Sequence, residues 1–187
     1  MNLPNMITTV RFLISPIFLI LLGEGSPRAL YAALALYAVA GLTDLLDGYL
    51  ARKMNQESSF GRMADPFVDK IIICGAFIML IERVPMLAGW MVALIVSREF
   101  LVTCCRILVE SRGEDFGSSF AGKQKMAIQF VTVAALILYT ASAEDVGSVL
   151  TSCIEVLIWI TVASTVISGV LYIRRAAAVF RRREEIT

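Results

Sequence analysis

Six long apolar runs, separated by short polar connections, leave this chain few ways to fold. They occupy approximately residues 6–23, 28–53, 63–82, 86–110, 122–142 and 147–174. Each is near the roughly 20 residues that a helix needs to cross a hydrocarbon core. With 58% apolar residues among 187 and a mean hydropathy of +0.76, the chain is too apolar to cover itself with a polar surface as an ordinary soluble domain. The expectation is therefore all-α, a polytopic membrane protein with six transmembrane helices. Only the connections 53–62 and 111–121 exceed a tight link, and no repeat, low-complexity tract or linker divides the chain, so residues 1–187 read as one domain.

Charge adds orientation. The net charge is only +1, but the basic residues are unevenly placed. With six spans, Arg11, Arg52, Lys53, Arg62, Arg112, Lys123, Lys125, Arg174, Arg175 and the run Arg181-Arg182-Arg183 fall on one side, and Arg28 and Arg83 on the other. Lys and Arg are retained on the cytoplasmic side, which places both termini and the two longer loops there. That distribution speaks of topology and not of nucleic acid. The C-terminal basic run reads equally as a topology anchor and as a contact for anionic head groups. The opening Met1-Asn2-Leu3-Pro4 has no basic region of a secretory signal, so the first run is expected to remain as a helix.

Residue types narrow the chemistry. Histidine is absent, which removes Ser-His-Asp and Cys-His nucleophiles and the usual zinc and non-haem iron ligand sets. Cys74, Cys104, Cys105 and Cys153 all lie in apolar segments without zinc-ligand spacing and are expected to serve packing. Carboxylates, Lys, Arg and hydroxyls are left to carry any reaction.

The carboxylates concentrate where spans two and three meet. The second run ends Asp44-Leu45-Leu46-Asp47-Gly48-Tyr49-Leu50-Ala51-Arg52, and the third opens with Gly61, Asp65 and Asp69. A carboxylate within a membrane helix costs about 2.5–3.5 kcal/mol near the centre on insertion scales, so four of them need compensation. A salt-bridge network with Arg52, Lys53, Arg62 and Lys70 would neutralise them but leaves the spacing of the small residues unexplained. On a helix Asp44, Asp47, Gly48, Ala51 and Arg52 share one stripe, and Asp65 and Asp69 share another. Gly48 and Ala51 leave room for a bulky ligand against the backbone. Four hard oxygen donors suit Mg2+ or Mn2+, and paired ions of this kind serve in-line phosphoryl transfer. A divalent-cation transporter could also set aspartates at a membrane edge, and an aspartate-rich prenyltransferase could use magnesium on a diphosphate. Neither is tied to this Gly, Ala and Arg spacing.

The run Asp44-x2-Asp47-Gly48-x2-Ala51-Arg52-x8-Gly61-x3-Asp65-x3-Asp69 resembles the signature of the CDP-alcohol phosphatidyltransferases at every fixed position. The resemblance implies a six-helix membrane enzyme, usually a homodimer, with a polar cavity open to the cytoplasm, in the inner (plasma) membrane of a bacterium. It implies that Asp44, Asp47, Asp65 and Asp69 hold two divalent ions, and that Asp69 also serves as the catalytic base for the acceptor hydroxyl. Gly48, Ala51, Arg52 and Gly61, with Ser58, would shape the site for the CDP-linked donor. Asn5-x2-Thr8-x2-Arg11 is similar to the donor-binding segment of the family, with Pro4 suited to start the helix.

Acceptor choice falls to the later spans. Ser97-Arg98-Glu99, Arg106 and Gly122-Lys123-Gln124-Lys125 followed by Gln129 stand out in otherwise apolar sequence. Arg98 needs an anionic partner inside its span, which Glu99 could supply, whereas Arg106 could snorkel. Together these motifs resemble the phosphatidylglycerophosphate-synthase branch, although Met126 stands where that branch implies threonine. The resemblance implies CDP-diacylglycerol as donor and glycerol-3-phosphate as acceptor, with Arg98, Lys123, Lys125 and Arg106 as acceptor-binding residues. A cardiolipin synthase or an inositol-phosphate transferase is the alternative within the family.

Overall fold

The computed structural model describes the backbone over residues 3–54, 59–110, 120–142 and 147–184, and side chains over 10–43, 70–109, 122–142 and 147–179 and at Phe120. Six helices account for it: α1 (Leu3–Glu24), α2 (Pro27–Met54), α3 (Ser59–Leu80), α4 (Gly89–Glu110), α5 (Phe120–Ala141) and α6 (Ser148–Glu184). No strand occurs among the described residues.

Local chemistry sets the turns. α1 ends at Gly25, whose φ of 71° is the left-handed conformation that helix C-caps favour and that a side chain would strain. Its N–H donates to the Leu21 carbonyl at 3.4 Å, and the Arg83 guanidinium donates to the Gly23 carbonyl at 2.7 Å, so two orphan carbonyls of α1 are satisfied. Ser26 then caps α2, its hydroxyl accepting the Ala29 N–H at 3.2 Å, with Pro27 in the first helical position. The result is a tight α1–α2 hairpin in which Phe18 stacks on Tyr37 with ring centroids 5.5 Å apart.

The apolar run expected over 86–110 starts late as a helix, at Gly89. Val84 and Leu87 in the preceding turns are fully buried, so apolar loop residues extended that run without extending the helix. The last helix instead outruns its apolar segment and continues to Glu184. Beyond residue 174 the sequence is rich in Ala and Arg, both strong helix formers, so propensity carries the helix on after hydropathy stops.

Packing divides the six helices into two groups around a shared wall. α1, α2, α5 and α3 close one ring, each touching the next, and α3, α4, α6 and α5 close a second. The α3–α5 contact is common to both. The larger apolar core, including Phe18, Leu30, Tyr37, Phe77, Leu80, Ile95, Leu136 and Ile158, fills the end of the bundle that holds the α1–α2 turn. A smaller one, Val102, Val109, Tyr172 and Ala176, zips α4 to α6 towards the opposite end.

Polarity is inverted relative to a soluble protein. Phe12, Ile20, Leu42, Ile78, Leu101, Val131 and Ile167 face outward, whereas Arg11, Glu99, Lys125, Gln129, Thr132 and Thr165 are buried. Two helical stretches, Gly122–Ala141 and Ser148–Val179, are each long and apolar enough to cross a membrane.

Candidate active site

Each ring encloses a different kind of surface. Between α1, α2, α3 and α5 lies a cleft lined by Arg11, Tyr37, Ala40, Gly41, Ile72, Ile73, Met126 and Phe130. Its aromatic side is a three-ring stack in which Tyr37 lies between Phe18 and Phe130, the Tyr37 and Phe130 centroids being 4.5 Å apart. Gly41 makes that side possible, because a Cβ there would fall on the Phe130 ring. The Tyr37 hydroxyl is buried without a hydrogen-bond partner. A polar atom in an otherwise apolar cleft is costly to bury unless something polar meets it.

The aspartate motif lies on the two helices that wall this cleft. Asp44 and Asp47, with Gly48, Ala51 and Arg52, fall on the helical backbone of α2, and Gly61, Asp65 and Asp69 fall on that of α3. Their side chains lie outside the described residues, as do those of Asn5 and Thr8 on α1, and Ser58 lies outside entirely. Helical backbone at these positions gives the i, i+3 and i, i+4 spacings that set each pair on one face. Asp44 follows Gly41 by three residues on α2, and Asp69 precedes Ile72 by three on α3. The donor chemistry, four carboxylates with no histidine or thiolate on these stretches, fits a hard divalent cation. Among the described residues no other cluster of metal-ligating side chains occurs.

The second ring buries charge. Glu99 Oε1 accepts from the Lys125 ammonium and, at 3.3 Å, from Arg98 Nη1. Arg98 Nη2 donates to Ser168 Oγ at 3.0 Å, and the guanidinium lies 5.6 Å from the Tyr172 ring centroid. Gly169 allows this approach, since a Cβ there would come within 3.1 Å of Arg98 Cγ. Polar contacts continue inward along α5 and α6: Gln129 Nε2 donates to Thr165 Oγ1 at 3.4 Å, and the hydroxyls of Thr132 and Thr161 lie 2.7 Å apart.

Of the four basic residues expected at an acceptor, the structure brings Arg98 and Lys125 together. Lys123 is exposed, and Arg106 is half-buried two turns along α4 from Arg98, its Nε without a partner. Glu99, Ser168 and Tyr172 complete the group and were not among the expected site residues. One signal was available for α6: Thr161, Thr165 and Ser168 form a helical stripe of hydroxyls in an apolar run. The cysteines are free, Cys74 buried and Cys105 half-buried, but Cys104 and Cys153 lie on the outer surface and not in the core.

The cleft walled by the acid-bearing α2 and α3 and the buried Arg98–Glu99–Lys125 group thus lie in adjoining rings that share α3 and α5. The family model of the CDP-alcohol phosphatidyltransferases matches residues 1–167. The chain belongs to that family. It is 36% identical over 180 residues to a CDP-diacylglycerol–glycerol-3-phosphate 3-phosphatidyltransferase of Bacillus subtilis, covering 90% of this chain and 91% of that one. A protein of the same description from Rickettsia bellii is 31% identical over 184 residues, covering 96% and 97%. A protein of Mycobacterium tuberculosis named as a probable phosphatidylglycerophosphate synthase is 35% identical over 178 residues, covering 94% and 81%.

Proposed function

We propose that the chain transfers the phosphatidyl group of CDP-diacylglycerol to glycerol-3-phosphate, giving phosphatidylglycerophosphate and CMP. The family supplies the reaction class, the full-length relatives carry this activity in their names, and the buried Arg98–Glu99–Lys125 group is the observation that favours a phosphorylated acceptor.

In this reading Asp44, Asp47, Asp65 and Asp69 hold two Mg2+ or Mn2+ ions, which when bound offset the negative charge of the donor's diphosphate. Asn5, Thr8, Gly48, Ala51, Arg52, Ser58 and Gly61 seat the donor beside them. Asp69 takes the proton from the acceptor hydroxyl, whose oxygen bonds to the β-phosphorus as the bond from that phosphorus to the CMP oxygen breaks. Arg98 and Lys125 grip the acceptor's phosphomonoester through charge-assisted hydrogen bonds, arginine reaching two oxygens at once. Positioning and charge neutralisation are the main resources of phosphoryl transfer. Six spans with the aspartates at the cytoplasmic edge give access to soluble glycerol-3-phosphate while the diacyl chains remain in lipid.

Purified protein incubated with CDP-diacylglycerol and a panel of acceptors, with the lipid product identified by mass, tests this. Phosphatidylglycerophosphate with stoichiometric CMP is expected. Cardiolipin formed from phosphatidylglycerol, with glycerol-3-phosphate ignored, would overturn the acceptor assignment.

A further inference from the structure

The reaction just described makes no use of Glu99, although it is buried at the junction of both acceptor-binding cations. We propose that Glu99 is a positioning residue that locks Lys125 and Arg98 into one preset receptor for the phosphate of the acceptor. The inference rests on the glycerol-3-phosphate reading above.

Three observations carry it. First, a single oxygen, Oε1, receives both cations, one from its own helix α4 and one from α5. α4 and α5 are not among the closely packed helix pairs, so this carboxylate links two helices whose backbones do not run side by side. Second, Arg98 is held from the far side as well, by Ser168 and the face of Tyr172 on α6. Its guanidinium is thereby fixed in direction, while Nε stays buried and unpartnered. Third, the charges of this group do not cancel among the described residues. Two cations, Arg98 and Lys125, share one carboxylate oxygen. A carboxylate that only neutralised a buried arginine would make a one-to-one pair, whereas excess buried positive charge invites an anion. An ammonium has three donors and a guanidinium five, so donors remain for phosphate oxygens after Glu99 and Ser168 are served.

The test is Glu99→Gln, which keeps the shape and removes the charge, with Glu99→Asp as the conservative partner. The KM for glycerol-3-phosphate is expected to rise roughly tenfold or more in Glu99→Gln, as for a lost bond to a charged group. The KM for CDP-diacylglycerol should be little changed, and the loss should be carried by KM and not by kcat. Glu99→Asp should recover part of the affinity. Combining Glu99→Gln with Lys125→Gln should add little to the worse single variant, because the residues act as a unit. A merely structural role would lower kcat through a smaller active fraction and leave the acceptor KM unchanged, which overturns the proposal. So does a lowered KM, which would mean that Glu99 competes with phosphate. Should Glu99→Gln not yield a monodisperse protein, Glu99→Asp is read instead, with a smaller KM rise expected and an unchanged KM overturning the idea. Wild-type enzyme run in parallel separates the two levels. No transfer to glycerol-3-phosphate by the wild type overturns both, whereas transfer with an unaltered KM in the variants overturns the role of Glu99 alone.

Discussion

At Arg98 the contacts of one guanidinium tie three helices together: its own α4, α6 through Ser168 and Tyr172, and α5 through the oxygen it shares with Lys125. Arg98→Ala and Lys125→Ala should each raise the KM for glycerol-3-phosphate roughly tenfold or more, the effect of losing about 1.5–3 kcal/mol for a charged hydrogen bond. Steady-state kinetics with each substrate varied in turn reads this, and a selective rise in the CDP-diacylglycerol KM would misplace the pocket. Lys123, exposed two residues before Lys125 on another face of α5, and half-buried Arg106 should give milder alanine variants. For the aspartates, Asp44→Asn, Asp47→Asn, Asp65→Asn and Asp69→Asn should each abolish measurable turnover, since one charge-stabilising group commonly supplies roughly 3–4 kcal/mol. Chelation should silence the wild type and added Mg2+ or Mn2+ restore it, with Asp69→Asn retaining donor binding. Near-normal CMP release by any of the four would remove the two-metal reading. The cations were legible because an arginine or lysine inside an apolar run is conspicuous. Glu99 was legible only as a neighbour for Arg98, because its bond to Lys125 joins positions 26 residues apart that no local pattern connects.

Among the elements, the α2–α5 contact shows how a helix acquires its rotation. Gly41 of α2 lies against the Phe130 ring, and that ring stacks on Tyr37 one turn earlier on the same helix. Gly41→Ala forces the ring aside and should cost about 1–3 kcal/mol, the usual range for overpacking. Thermal unfolding in detergent checks it, and Phe130→Leu in the same chain should restore part of the loss by making room. An unchanged transition in Gly41→Ala would show that the stack yields freely and does not set the rotation of α2. Helix number and order were readable from the six apolar runs, because hydropathy and helical length are both local. The ends were not. At 37 residues α6 is about 55 Å long, well beyond a hydrocarbon core of about 30 Å, and its final turns follow from the propensity of Ala and Arg. The two-ring arrangement was equally hidden, since it depends on which faces α3 and α5 share.

For the molecule as a whole, the open question is which end of the bundle meets the cytoplasm. The α1–α2 turn, residues 81–88, the end of α5 and the start of α6 belong to one end, and the start of α1, the end of α2, the start of α3, the end of α4 and the start of α5 to the other. Basic residues favour the second end as the cytoplasmic one, and the structure sharpens that bias. Of Arg28 and Arg83, the two that mark the first end, Arg83 is engaged in capping α1 through the Gly23 carbonyl. The polar interior points the same way, because buried Arg11 and Lys125 lie in the halves of α1 and α5 nearer the second end, with Arg98 close to the middle of α4. A site for a soluble, doubly charged acceptor needs that end open to the compartment where such phosphates are held. In intact cells, single cysteines in a background without Cys74, Cys104, Cys105 and Cys153 read the orientation directly. A cysteine at Ser26 or Gly147 should react with a membrane-impermeant thiol reagent, and one at Gln56 or Thr187 should react only after permeabilisation. The reverse pattern would turn the protein over, and reaction at both Ser26 and Gln56 in intact cells would mean that α2 does not span.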